Sequence, residues 1–189
     1  MRAITRNLLA AFLLAASLSP AFADDYADTI NVFRKAGESG QFFGKSYGYA
    51  VFPTIGKGGF VVGGAHGNGL VYAGGRHVGD STMTLPTVGA QLGGQAYSLI
   101  VFFEDKRAFD QFTSGNFEFG AQATAVAITA GASAQVTTTG PTASASGTQR
   151  AASTKGRYYR GMAVFSVAKG GFMYEASIGG QKFTYTPSK

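Results

Sequence analysis

The chain has 189 residues, no cysteine and a formal charge of +6. Without cysteine it can form no disulfide, no thiolate metal site and no lipidated cysteine, so it must rest on its own hydrophobic core. Its basic residues gather late: residues 150–189 hold seven Lys and Arg but one acid, Glu175. That balance suits an anionic partner or an ordinary solubilising surface.

The first residues read as a leader for export. Arg2 and Arg6 form a positive n-region, Leu8 to Leu18 is apolar, and Ala21-Phe22-Ala23 offers a small-x-small cleavage site. The apolar run is too short to span a bilayer comfortably, which opposes an N-terminal anchor. The expectation is a signal peptide over residues 1–23 and a single domain over 24–189, about 166 residues and large enough to bury one core. Loss of Arg2 and Arg6 lowers the formal charge to +4.

Residues 24–39 read as an amphipathic helix. Tyr26, Ile30 and Phe33 share one face, acids precede Arg34 and Lys35, and Gly40 is a stop. The stripe either docks on the core or meets a membrane. Glycine then becomes frequent between short apolar runs at Tyr49–Phe52, Phe60–Val62 and Leu70–Tyr72, which read as strands with tight turns. Ala96 to Phe103 reads as a buried strand. Asp105 is an N-cap for a short helix carrying Ala108, Phe109 and Phe112, and Phe117 and Phe119 resume strand alternation.

The alanines at odd positions from Ala121 to Ala127 carry strand periodicity. Residues 137–154 are of low complexity and read as a flexible loop. Tyr158–Val167 and Gly171–Tyr185 read as two antiparallel strands. The fold class is therefore α+β: one domain dominated by antiparallel sheet, barrel- or sandwich-like, with short peripheral helices. Lys57-Gly58-Gly59-Phe60 recurs as Lys169-Gly170-Gly171-Phe172, each placed at the entrance to a strand. The repeat is an accident of glycine-rich composition or a pair of hairpins presenting a lysine.

No catalytic constellation emerges. His66 and His77 lack metal-ligand spacing, no G-x-S-x-G elbow occurs, and the Gly63 to Gly69 run lacks the features of a phosphate loop. Tyr158, Tyr159 and Phe165 among Arg157 and Arg160 could form a nucleic-acid stacking platform, but alternating aromatics suit a strand core and export removes that partner. No enzyme activity, cofactor, metal or nucleic acid is expected.

The order of motifs resembles the SYLF lipid-binding domain family. The matching stretches are Tyr49-Ala50-Val51-Phe52-Pro53, then Gly56 to Phe60, Val62 to Gly69, Pro86 to Gly94, and Ser166-x-x-Lys169-Gly170-Gly171-Phe172 with Gly179-Gly180. Two departures mark a divergent branch. No tryptophan precedes Pro86, and no A-G-P-x-G-R pattern follows the alanine-rich segment. The resemblance implies non-enzymatic binding of acidic phospholipid or other membrane phosphates, and actin contact in some members. For an exported chain it implies a place in the periplasm, at the outer membrane or outside the cell. Lys57 and Lys169 are the first candidates for headgroup contact, Arg157 and Arg160 the second. The alternative is a structural or protein-interaction module of the envelope.

Overall fold

Alternation of apolar and small residues through the glycine-rich middle of the chain builds long strands rather than helix, because a residue every second position faces each side of a pleated sheet. The computed structural model describes residues 21–59, 62–88, 95–120, 123–128, 157–169 and 178–189. Helix α1 (Ala21–Lys35) and the single turn α2 (Gly37–Gly40) lead into β1 (Gly48–Gly59), β2 (Val62–Ala73), β3 (Arg76–Val88) and β4 (Gln95–Phe103). Helix α3 (Lys106–Phe112) follows, then β5 (Phe117–Glu118), β6 (Val126–Ile128), β7 (Met162–Lys169) and β8 (Lys182–Pro187).

These strands form one sheet in the order β5-β8-β3-β2-β1-β4-β7-β6. All neighbours are antiparallel except β6, which runs parallel to β7. The sheet curls. Its inner face encloses Phe52, Val71, Met83, Leu99, Phe103, Phe112 and Phe183, contributed by strands from both halves of the sheet and by α3. Phe119 and Ala125, on either side of residues 121–122 between β5 and β6, join that inner cluster. Curling brings backbones close. A Cβ on Gly69 would lie 2.5 Å from the Phe52 ring, so only glycine lets that ring cross β2.

The outer face carries a second core of Phe33, Phe42, Val51, Ile100, Phe102, Ala163 and Phe165. Helix α1 covers it with the stripe expected from its period: Phe33 is fully buried, and Tyr26 and Ile30 are partly buried. The stripe docks. The expected N-cap is also present, as the Asp105 carboxylate accepts from the Ala108 N–H at 2.8 Å.

Two expectations are corrected. The last two strands run antiparallel as read but are not neighbours, as β7 pairs β4 while β8 pairs β3. The repeated lysines stand at strand exits rather than entrances, Lys57 near the end of β1 and Lys169 at the end of β7. The alanine alternation yields to larger neighbours at 126–128, where Val126 and Ile128 pack on the outer core and Ala127 is exposed. The leader up to Pro20, the loop at 137–154, Phe60 and the Gly170-Gly171-Phe172 half of the repeat lie outside the described residues.

Candidate functional site

One residue decides where the first-ranked lysines point. Strand β1 contains Pro53, which has no N–H to donate, and the register with β4 jumps between Phe52 and Ile55. This bulge puts both Phe52 and Ile55 on the inner face. Lys57, two residues beyond Ile55, therefore also belongs to the inner face and is half-buried there. Lys169 keeps the outer-face parity of Phe165 and Val167. Its ammonium donates to Thr54 Oγ1 at 2.8 Å and pairs with Asp25 of α1 at 3.5 Å. The two lysines share one end of the sheet but not one face.

Arg157 and Arg160 sit at the other end. Met162, where β7 begins, pairs with Phe103, whereas Lys169 pairs with Ala96. Seven steps along β7 separate the ends by about 23 Å. The lysine and arginine pairs therefore stand at opposite ends of the sheet.

The arginine end gathers cations that sequence spacing does not connect. Tyr159 and Met162 exchange backbone hydrogen bonds across a two-residue turn, with Arg160 at φ 53° and Gly161 at φ 82°. Positive φ at both central positions is the hairpin geometry that suits twisted strands. The Arg160 guanidinium lies 5.5 Å from the centre of the Tyr159 ring. The Glu104 N–H donates to the Gly161 carbonyl, which fixes this turn beside the start of α3 and brings Lys106 and Arg107 alongside. Across the sheet, Arg76 opens β3, paired with Ala73 across the β2–β3 turn. The span from β3 to β7 is four strand spacings, about 19 Å. Lys45 precedes Tyr47, whose N–H donates to the Phe103 carbonyl at the same end.

Acids here are fewer. Asp110 takes Lys106 at 2.7 Å, and Asp105 lies 3.7 Å from Arg107. Two rings stand out to solvent between the cations, Tyr47 at 40% and Tyr159 at 49% exposure. Tyr158 instead turns inward against Phe42 at 5.1 Å; burial, reinforced by the Glu104 charge, pushes its phenol up to about 12. Phe165 is fully buried in the outer core, so these aromatics do not form a stacking platform.

The signal for this end was present but scattered. Arg76, Lys106 and Arg107 are ordinary surface residues in sequence, and only the ends of β2, β4 and β7 bring them together. Among the described residues no group of three or more His, Cys, Asp or Glu is placed to hold a metal ion. No helix among them is long and apolar enough to cross a membrane.

Residues 84–188 match the Ysc84 family, described as Las17-binding protein actin regulator. Beta cell expansion factor A of Aeromonas veronii is 28% identical over 162 residues, 83% of this chain and 53% of the relative. The chain thus spans about half the length of that curated relative. With more than half of its residues matched by the family, this chain belongs to the Ysc84, or SYLF, family.

Proposed function

We propose that the chain is a non-catalytic module that binds anionic phospholipid surfaces through the end of the sheet carrying Arg76, Arg107, Arg157 and Arg160. The observation that supports this reading is the placement of Arg107, Arg157 and Arg160 with exposed Tyr47 and Tyr159 at one end of the sheet, with Arg76 at the same end four strands away. Each cation near an anionic surface contributes about 1 kcal/mol, so several together give useful adsorption. Tyrosine suits the boundary because its ring is apolar and its hydroxyl stays wet. With export through a leader ending at Ala23, the available anions are those of a bacterial envelope: phosphatidylglycerol, cardiolipin or lipopolysaccharide phosphates.

A second reading keeps a protein partner in place of the lipid. It is favoured by the family description, which names a Las17-binding actin regulator. Sedimentation with phosphatidylglycerol and phosphatidylcholine vesicles, at low and moderate salt, separates the two. The expected outcome is binding to the anionic vesicles only, weakening as salt rises. Replacing Arg76, Arg157 and Arg160 together with Gln lowers partitioning by up to about a hundredfold. The Lys57→Gln and Lys169→Gln pair changes it less than about twofold, because those groups face away from the surface. A folded triple variant that sediments like the parent protein would put the protein-partner reading ahead.

A further inference from the structure

Three large apolar side chains stand out to solvent among the described residues: Val32 at 43%, Tyr47 at 40% and Tyr159 at 49% exposure. Val32 lies on the outward side of α1, among exposed Asp28, Asn31 and Lys35. The two tyrosines are placed differently. Gly48, Phe103 and Met162 are register partners across β1, β4 and β7, with Tyr47 one residue before Gly48 and Gly161 one before Met162. Tyr47 and the turn carrying Tyr159 therefore stand two strand spacings apart, about 10 Å. Arg76 lies two spacings from Gly48 on the other side, through Ala73.

Both rings are tied to the same short helix. Tyr47 leans on Phe109 of α3, with 5.5 Å between ring centres. The Tyr159 turn packs directly on α3, since a Cβ on Gly161 would lie 2.7 Å from Arg107 Nη2 and 2.9 Å from the Ala108 Cβ. Neither tyrosine sits on an arm that extends past the cations. Rings and guanidiniums at this end therefore reach a surface together.

We propose that this end docks on a glycerophospholipid leaflet, the Tyr47 and Tyr159 rings entering between the headgroups while the guanidiniums stay at the phosphates. The inference rests on the anionic-surface reading and deepens it by choosing among the anions. In such a leaflet the phosphates belong to a headgroup layer about 5 to 8 Å deep, so a tyrosine beside an arginine at that level reaches the hydrocarbon boundary. The ring there leaves water while its hydroxyl keeps it. In lipopolysaccharide the phosphates lie beneath a layer of sugars, and a blunt sheet end about 19 Å wide does not pass it. The strands then stand upright on the membrane. Helix α1, whose Phe33 is packed into the outer core, stays clear of it.

The chain has no tryptophan, so single Tyr47→Trp, Tyr159→Trp and Val32→Trp variants each report on one place. Each is mixed with vesicles of phosphatidylglycerol and phosphatidylcholine, with and without bromine on the acyl chains, and followed by sedimentation and by emission. The expected result is emission lowered by about one third or more by brominated lipid at both tyrosine positions, and by less than about one tenth at Val32. Tyr47→Ser with Tyr159→Ser lowers partitioning about tenfold at moderate salt, where charge attraction is screened. Should the Tyr47 variants fail to fold, Tyr159→Trp and Tyr159→Ser decide. Sedimentation without quenching at Tyr159→Trp would overturn ring entry and leave the surface reading standing. Quenching at Val32→Trp alone would overturn it in favour of docking through α1. Tighter binding to lipopolysaccharide than to phosphatidylglycerol vesicles at equal phosphate would overturn the choice of leaflet. Absence of binding to any vesicle would overturn this inference and the surface reading together.

Discussion

Arg160 joins conformation and charge in one residue. Its φ of 53° lies in the left-handed region, where a side chain bearing a Cβ is strained by about 1 kcal/mol and glycine is not. Arg160→Gly is therefore expected to raise stability by up to about 1 kcal/mol in denaturant unfolding. The same change removes a cation from the proposed surface and weakens anionic-vesicle binding. Stability and binding moving in opposite directions would identify a residue kept for its charge. A variant that loses both would mean the guanidinium chiefly holds the turn through its contact with Tyr159.

Helix α1 is tied to the sheet mainly by its apolar stripe. Phe33 is fully buried in the outer core, and the Ser39 hydroxyl donates to the Phe33 carbonyl at 2.6 Å where the helix hands over to α2. Tyr26 and Ile30, nearer the N-terminus, are only partly covered. Phe33→Ala is expected to cost about 3–5 kcal/mol, the usual range for emptying a buried phenylalanine site, and to lower Tm accordingly. A loss below about 1 kcal/mol would show that the helix contributes little to the folded domain. The helix was legible because its period is local. The bulge in β1 was not: Pro53 hinted at an irregular strand, but only pairing with β4 reveals the extra residue that sends Lys57 inward.

At the scale of the molecule, charge follows the strands. Helix α1 runs from Asp25, beside Lys169 at one end, to Arg34, whose guanidinium lies 5.0 Å from the Phe43 ring toward the other. Its acids therefore offset a lysine at the first end, and its bases join the cations at the second. The export proposal adds a boundary within this helix, since cleavage after Ala23 leaves Asp24 as the first residue and the docked stripe intact. Intact-mass measurement of the protein recovered from its native host is expected to give a chain beginning at Asp24, within a residue or two. A chain retaining Met1 to Ala23 would remove the export reading and leave the surface-binding reading to stand on the vesicle assay.

The sequence by itself determined the local devices: the α1 stripe, the Asp105 cap, the buried β4 run and the β-rich class with its family resemblance. Each depends on residues within a turn or a strand of one another, where periodicity and capping act. Only the tertiary structure decided which strands are neighbours, which face each lysine takes and which cations share a surface. Those depend on register between segments far apart in the chain, and a one-residue shift there reverses every side chain that follows. That is why Lys57 and Lys169, alike in sequence, fall on opposite faces, while Arg76 and Arg160, unrelated in sequence, stand at one end of the sheet.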